Sequence, residues 1–475
     1  MENTNIIRST FIVLNDAQKE KIHSDSLKIL SSVGVRVKSE EARRIFSKNI
    51  GSNAVSDDIV RIPPEVIHGA LKMAPSSIEI YNRKGDLAFQ LPGDTRFGIG
   101  VTDLYYQDPE NDKIVPFTRE HMALTVRLGE KLPSYDAICT IGILRDVPVS
   151  ALDVYSILEM TSNTIKPLVV LVSDENALLS VIELMEDLYG DLSSKPFIIP
   201  FFTPIAPLVI DHGTVNKMMV TIEQGLPFIY SSGAIAGATA PITAAESLCL
   251  LNAQLLAGLT LSQLIREGTP VMLGYNLSFL DMKGMGVFTD PSCHLVNQVC
   301  AEMMEYYHLP HYGSSGSGMG WGADIINSGH QWMNHLMSCM GKTGLEAFVG
   351  SILGYKVFSP AAAVYANEII EQARIFAKGF SYDNNLVALD EIAEAGPGGN
   401  FLTSDLTLKR FRKAYYQSDI FPQLTLEEWQ EKGCQRADDV LKRYTKELID
   451  NLTAPVDHGD LMEQGEAFIR KLKIH

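Results

Sequence analysis

The chain has no surplus of basic residues. It carries 40 Lys and Arg against 57 Asp and Glu, a net charge of −17 in 475 residues. A surface that acidic repels phosphate backbones, so nucleic acid is not an expected partner. Long apolar runs are also missing. A bilayer span needs about 20 consecutive apolar residues, and the richest stretch, Ala253–Leu264, is interrupted by Gln254, Ser262 and Gln263. No membrane association is expected. Met1 to Ile12 has no basic region followed by an apolar run, so a secretory signal is not expected either. Cysteine is sparse: Cys139, Cys249, Cys293, Cys300, Cys339 and Cys434 are scattered, mostly in apolar surroundings. Such spacing reads as buried free thiols in a reducing cytoplasm rather than a disulfide framework.

Several catalytic motifs are absent as well. There is no His-Glu-x-x-His zinc motif. Gly341-Lys342-Thr343 ends like a phosphate-binding loop, but Leu336 stands where the upstream glycine belongs, and the triplet precedes a strand instead of following one. Gly313, Gly316, Gly318, Gly320 and Gly322 never give the dinucleotide-binding spacing. Cys293 and Cys300, seven apart on a predicted helix beside His294, read as a core stripe and not as metal ligands. No metal site is expected. No low-complexity segment or short repeat is visible.

What is present is alternation. With 46% hydrophobic and 20% charged residues the balance is that of an ordinary globular chain. Short apolar runs recur at Arg96–Val101, Ala137–Ile143, Pro167–Val172 and Pro196–Phe202. Four more follow at Pro227–Ser231, Pro270–Gly274, Pro310–Gly313 and Leu345–Gly350. Pro167, Pro196, Pro227, Pro270 and Pro310 open five of them, where a missing N–H costs no ladder hydrogen bond. Runs apolar throughout suit parallel strands buried on both faces. Helical stretches lie between them, among them Thr118–Lys131 and Thr243–Glu267, where Glu246 falls three residues after Thr243 as in a capping box. Eight strands, each with a following helix, predict an α/β chain built as a (β/α)₈ barrel.

Residues 96–385 are the expected barrel. Residues 1–95 form an N-terminal extension, with helices at Asn15–Ser32 and Ser39–Lys48 and a short strand pair around Ile59–Ile62 and Ser77–Tyr81. Residues 386–475 form a mainly helical C-terminal extension broken by Gly-Pro-Gly-Gly at 396–399.

Chemistry in such a barrel gathers at the C-terminal strand ends. Those ends carry Asp103, Ser231, Ser232, Tyr275, Asn276, Ser314 and Ser351, with Tyr105, Phe202, Tyr230, Tyr312 and Trp321 nearby. The aromatics read either as ordinary packing or as a cage, since aromatic faces attract a quaternary ammonium by about 0.5–2 kcal/mol each. The loop Gly313–Asp324 is almost all Gly and Ser around Met319 and Trp321, which suits close approach of a flat ligand or a mobile lid.

At this point the chain resembles the trimethylamine methyltransferase superfamily. The likeness rests on Leu27-Lys28-Ile29-Leu30, Val33-Gly34-Val35 and Val60-Arg61-Ile62-Pro63 near the start. It continues in Pro241-Ile242-Thr243 and Asn252-Ala253-Gln254-Leu255-Leu256-Ala257-Gly258, then in Gly396-Pro397-Gly398-Gly399-Asn400-Phe401-Leu402. Gln254, Asn400 and Leu406 depart from the family's usual Glu, His and His, and His335 stands where Glu is usual. The trimethylamine enzymes carry pyrrolysine in the region after the seventh strand, where this chain has only standard residues.

The resemblance implies methyl transfer from a small quaternary amine, of the glycine betaine or proline betaine kind, to the Co(I) corrinoid of a cognate partner protein. No tightly bound cofactor and no acid–base residue are implied, and a homo-oligomer is expected. It assigns Tyr105, Phe202, Tyr230, Tyr275 and Trp321 to an ammonium cage and gives Asp103 a complementary charge. Ser231, Ser232, Asn276, His330 and Gln331 are assigned to the substrate's carboxylate. Gly313, Ser314, Gly316, Gly318 and Gly320 would leave room for the corrin ring. Two other readings remain. A non-catalytic betaine-binding barrel shares these features. A barrel hydrolase or aldolase needs a strand-end lysine or a metal, and neither Lys283 nor Lys342 sits at a strand end.

Overall fold

A computed structural model describes residues 6–314, 318–382 and 389–472. Every predicted run forms a strand: β1 (Arg96–Ile99), β2 (Ala137–Cys139), β3 (Leu168–Val170), β4 (Ile198–Phe202), β5 (Phe228–Ala236), β6 (Val271–Leu280), β7 (Tyr312–Ser314) and β8 (Leu345–Val349). They pair in parallel in the order β6-β5-β4-β3-β2-β1-β8-β7, with the antiparallel Val287–Phe288 beside β6 as the ninth strand of the sheet. The sheet curls far enough for its ends to meet. Leu273 of β6 forms a parallel bridge with His311, and the Leu273 N–H donates to the Pro310 carbonyl at 3.1 Å. The fold is therefore a mixed α/β architecture around a curled parallel sheet.

Each strand leads into a helix: α1 (Arg119–Lys131), α2 (Leu152–Asn163), α3 (Glu175–Tyr189), α4 (His212–Glu223), α5 (Ala244–Ile265), α6 (Pro291–Tyr306), α7 (Ile325–Gly341) and α8 (Pro360–Lys378). Side-chain caps start most of them. Thr118, Asp174, Thr243, Asp290, Asp324 and Ser359 each accept a first-turn N–H, a contact whose loss costs roughly 1 kcal/mol. At α1 the capping box is completed by the His121 ring, not by Glu120.

Two apolar layers hold the sheet. Alternate strand residues point into the lumen, where Ala137, Cys139, Val169, Ile199, Phe201, Ile229, Met272, Tyr312, Leu345 and Ala347 pack together. Their neighbours Ile138, Leu168, Val170, Ile198, Phe202, Tyr230, Leu273 and Tyr275 face the helices. A hairpin of Ile78–Tyr81 and Leu87–Leu91 adds Ile80 and Phe89 to the lumenal cluster and closes the end where the strands begin. Burying one such side chain contributes about 1.5–3 kcal/mol.

The N-terminal strands differ from expectation. Ile59–Val60 pairs with Val35–Val37 and Val55–Ser56, and not with Ile78–Tyr81. Helix α5 is apolar all round because it is enclosed: N-terminal helix Asp16–Lys28 lies along it, with Ser26 Oγ donating to the Cys249 carbonyl at 3.2 Å. By length and composition α5 is apolar enough to cross a membrane, since its polar interruptions do not break the helix, but 72% of its most apolar window is buried here. At the other end of the chain, Arg83 donates to both Asp457 oxygens at 2.6 and 2.7 Å, tying helix His458–Lys471 to the sheet. All six cysteines are free, and Cys434, against expectation, is exposed.

Candidate functional site

Between β6, the end of β7, helices α6 and α7 and the turn at Tyr355 lies a polar cavity of about 20 Å³, room for roughly one water molecule. Asn276, Thr289, His294, Asn297, Ser314, Asn334 and Tyr355 line it, with Leu277 and Cys293. No Asp, Glu, Lys or Arg is among them. Burial, the neighbouring His330 and the loss of water lower the His294 pKa to about 4, so the ring is neutral at physiological pH. Tyr355 reaches the cavity from a turn in which Leu353, Gly354 and Tyr355 all have positive φ (54°, 65° and 65°). Three consecutive left-handed residues are costly and mark a position held by its surroundings.

Behind the cavity stands a run of buried amides. Asn327, Gln331 and Asn334 recur at intervals of four and three on α7, all turned inward. Neither polar atom of the Asn327 or Gln331 amide has a hydrogen-bond partner among the described residues, and the same holds for Nδ1 of His330. Leaving a buried polar group unpaired costs about 1–3 kcal/mol, so a line of them marks groups reserved for something other than the fold. Between the sheet and α6, Asn297 Nδ2 donates to Glu346 at 3.1 and 3.3 Å. Burial pushes the Glu346 pKa up to about 7, with Thr343 and Asn297 opposing the shift by hydrogen bonds.

An aromatic cluster fills the lumen below. Phe201 meets Tyr312 at 5.3 Å and Phe348 at 6.2 Å, Tyr312 meets Phe348 at 6.0 Å, and Phe348 meets Tyr355 at 6.3 Å, all near edge-to-face. The Tyr312 hydroxyl is buried with no partner among the described residues.

The expected site residues divide. Ser231 and Asn276 face the lumen, in register with Gly274 and Gly233. Phe202, Tyr230, Ser232 and Tyr275 do not, because strand alternation carries each to the helix side. Phe202 stacks near Phe228 at 5.3 Å, the Tyr230 ring fills the space over Gly258 of α5, and Tyr275 lies against Cys300 of α6. Tyr105 is half-exposed on the short strand Tyr105–Gln107, away from the lumenal rings. Trp321 is on the rim and 70% exposed, its carbonyl accepting from Gln107 Nε2 at 3.0 Å.

Asp103 is wholly buried, and Ser351 Oγ donates to its Oδ1 at 2.6 Å. Burial raises its pKa well above the ordinary carboxyl value, which works against the expected complementary charge, and its Oδ2 has no partner among the described residues. The glycines after β7 are needed for packing. A Cβ on Gly313 would come within 2.2 Å of Glu346 Oε1, and one on Gly318 within 1.6 Å of Asn327 Oδ1. At Gly320 it would come within 2.5 Å of Asn327 Cβ. The close approach that these residues allow is thus to α7 and β8, not to open space for a ring. Ser314 lines the cavity, and Gly316 lies outside the described residues.

Asn297, Glu346, Asn327 and Tyr355 were not anticipated. A signal existed for three of them: a carboxylate within the apolar run Leu345–Val349, and amides at helical spacing in otherwise apolar helices.

The family model described as trimethylamine methyltransferase (MTTB) matches residues 2–474. The chain is 24% identical over 468 residues to a glycine betaine methyltransferase of Desulfitobacterium hafniense (strain Y51), covering 96% of each. It is 25% identical over 451 residues to trimethylamine methyltransferase MttB of Desulfitobacterium hafniense (strain DSM 10664 / DCB-2), covering 92% of this chain and 90% of that one. Among solved structures it resembles the Methanosarcina barkeri monomethylamine methyltransferase (MtmB), with a TM-score of 0.53 at 11% identity, over 98% of this chain and 89% of that one. That last likeness concerns the fold alone.

Proposed function

Because the chain belongs to the trimethylamine methyltransferase (MTTB) family, and is accordingly a methyltransferase, we propose that its methyl donor is a quaternary amine of the betaine kind and its acceptor the Co(I) corrinoid of a partner protein. The observation that carries the donor class is the lumenal cluster of Phe201, Tyr312, Phe348 and Tyr355 beside a cavity with no fixed charge. Aromatic faces attract a methylated ammonium at about 0.5–2 kcal/mol each, and no Lys or Arg is among the described residues lining the cavity. Asn276 and Ser314, backed by Gln331 and His330, supply neutral donors for the carboxylate at the other end.

The leaving-group chemistry suits this lining. When the methyl carbon departs, the C–N bond's electron pair passes to nitrogen and the amine leaves neutral. No proton need be delivered, and the neutral His294 is not required to deliver one. The docked corrinoid supplies the two-electron nucleophile, and the chain supplies alignment. The loop after β6 and the segment from the β7 loop into α7 suit an apolar partner: Met282 and Met285 are 68% exposed, Trp321 70% and Ile325 90%. With room for one water in the cavity, substrate entry requires the segment carrying Thr289 to lift.

The finer reading of the fold is a closed (β/α)₈ barrel over 96–385, joined where Leu273 meets His311, with extensions over 1–95 and 386–475. A cytoplasmic homo-oligomer without a tightly bound cofactor completes the proposal. It is tested by mixing the protein with chemically reduced cobalamin and a panel of quaternary amines. Loss of Co(I) absorbance with a betaine but not with trimethylamine supports it. No methylation with any amine, repeated with a cognate corrinoid protein present, would leave a betaine-binding protein.

A further inference from the structure

At the opposite end of the sheet from the mouth lies a cavity of about 490 Å³. Arg8, Arg96, Lys342, Arg374 and Lys378 line it, with Asp94 as the one acidic residue of the lining among the described residues. In a chain of net charge −17 this is a local inversion of sign. We propose that this cavity is a binding site for a multivalent phosphate, separate from the methyl-transfer site and taking two or more linked phosphoryl groups.

The guanidinium groups are already positioned. Arg96 Nη1 and Arg374 Nη2 donate to opposite oxygens of Asp136 at 3.1 and 2.6 Å. Arg374 lies over the Phe97 ring at 5.2 Å and Arg96 over Phe89 at 5.9 Å. One shared carboxylate cannot neutralise both. Arg96 Nε is buried with no partner among the described residues, a donor that the fold leaves unused. Planar guanidinium forks match phosphate oxygens in pairs, and binding there costs little reorganisation when the forks are held in advance.

Two lysines complete the site. Lys342 caps the C-terminus of α7 in a left-handed conformation, φ 52° and ψ 47°, and Lys378 ends α8. Neither pairs with a carboxylate among the described residues. Gly341-Lys342-Thr343 therefore contributes a phosphate-facing lysine from a helix end, unlike a nucleotide-binding loop, which precedes a helix. Convergent cations repel one another, and a multivalent anion relieves that repulsion more than a monovalent one does. The volume exceeds what a single phosphate fills, which favours a linked pair.

The test is calorimetric titration of the full-length protein with inorganic phosphate, pyrophosphate and ATP at low and moderate salt. Pyrophosphate should bind saturably, at least tenfold tighter than phosphate, and weaken as salt rises. ATP binding as tightly as pyrophosphate would assign the site to a nucleotide's phosphate tail. Pyrophosphate binding tighter would assign it to free polyphosphate. In Lys342→Met/Lys378→Met and Lys342→Glu/Lys378→Glu proteins affinity should fall at least tenfold, while thermal melting and methyl transfer stay at the wild-type level. Absence of saturable binding of pyrophosphate and ATP at low salt would overturn the proposal. So would double variants that bind as the wild type does.

Discussion

Asn297 Nδ2 donates to both carboxylate oxygens of Glu346, at 3.1 and 3.3 Å, in a layer with no water-facing surface. The pair couples the rear of the cavity to β8. Its protonation has a definite sign. Glu346 has its folded pKa raised from 4.5 to about 7. The folded state therefore holds a proton that the unfolded chain releases, and the associated stability is complete below the unfolded pKa and lost as pH rises through about 7. Glu346→Gln removes the titrating group. Urea unfolding should show wild type and variant similar near the lower end of that range. Above its upper end the variant should gain, by about 3 kcal/mol as the limit set by that shift. A wild-type stability flat across the window contradicts this.

Tyr312 and Tyr355 separate packing from recognition. The Tyr312 hydroxyl has no partner among the described residues, so Tyr312→Phe should keep or slightly raise stability. Tyr355→Leu keeps apolar bulk but removes a π-face at the cavity, and betaine affinity by calorimetry should fall about 3–30-fold. Unchanged affinity in Tyr355→Leu would remove it from the cage.

Gly318 and Asn327 compete for one volume. Gly318→Ala places a methyl 1.6 Å from Asn327 Oδ1 and should cost about 1–3 kcal/mol. Gly318→Ala/Asn327→Ala relieves the overlap, so the double variant should be more stable than the sum of the single effects by at least about 0.5 kcal/mol. Strict additivity in chemical denaturation would show that the loop folds differently.

The rim makes a kinetic prediction. Trp321→Ala and Ile325→Ala remove exposed apolar area at the mouth without touching the cavity lining. With a corrinoid protein as acceptor, methyl transfer should saturate at higher acceptor concentration, while betaine affinity stays constant. A loss of betaine affinity instead would move Trp321 into the substrate pocket.

The strand positions were legible from proline and apolar run length, and all eight strands form at those runs, with the helices after Thr118 and Thr243 also where they were expected. The side each residue faces was not. Strands apolar on both faces do not alternate in polarity, and a shift of one residue exchanges lumen for helix layer. That is why Phe202, Tyr230 and Tyr275 were expected in the cage where Phe201, Ser231 and Asn276 point inward. Phe348 was missed for the same reason, whereas Tyr312 was already among the aromatics named near the strand ends. The inward amides of α7 carried a helical period, but only Gln331 among them was given a role, and the close packing of Asn327 against Gly318 and Gly320 is not visible in the sequence. Asp103 was visible as a strand-end acid. Its raised pKa comes from burial, which a strand-end position alone does not reveal.

The central claim is that a neutral, aromatic pocket takes a quaternary amine and needs no acid. One tube containing the protein, chemically reduced cobalamin and equal amounts of glycine betaine and trimethylamine tests it by proton NMR. The account predicts that N,N-dimethylglycine accumulates while trimethylamine persists. Dimethylamine accumulating while glycine betaine persists would contradict it.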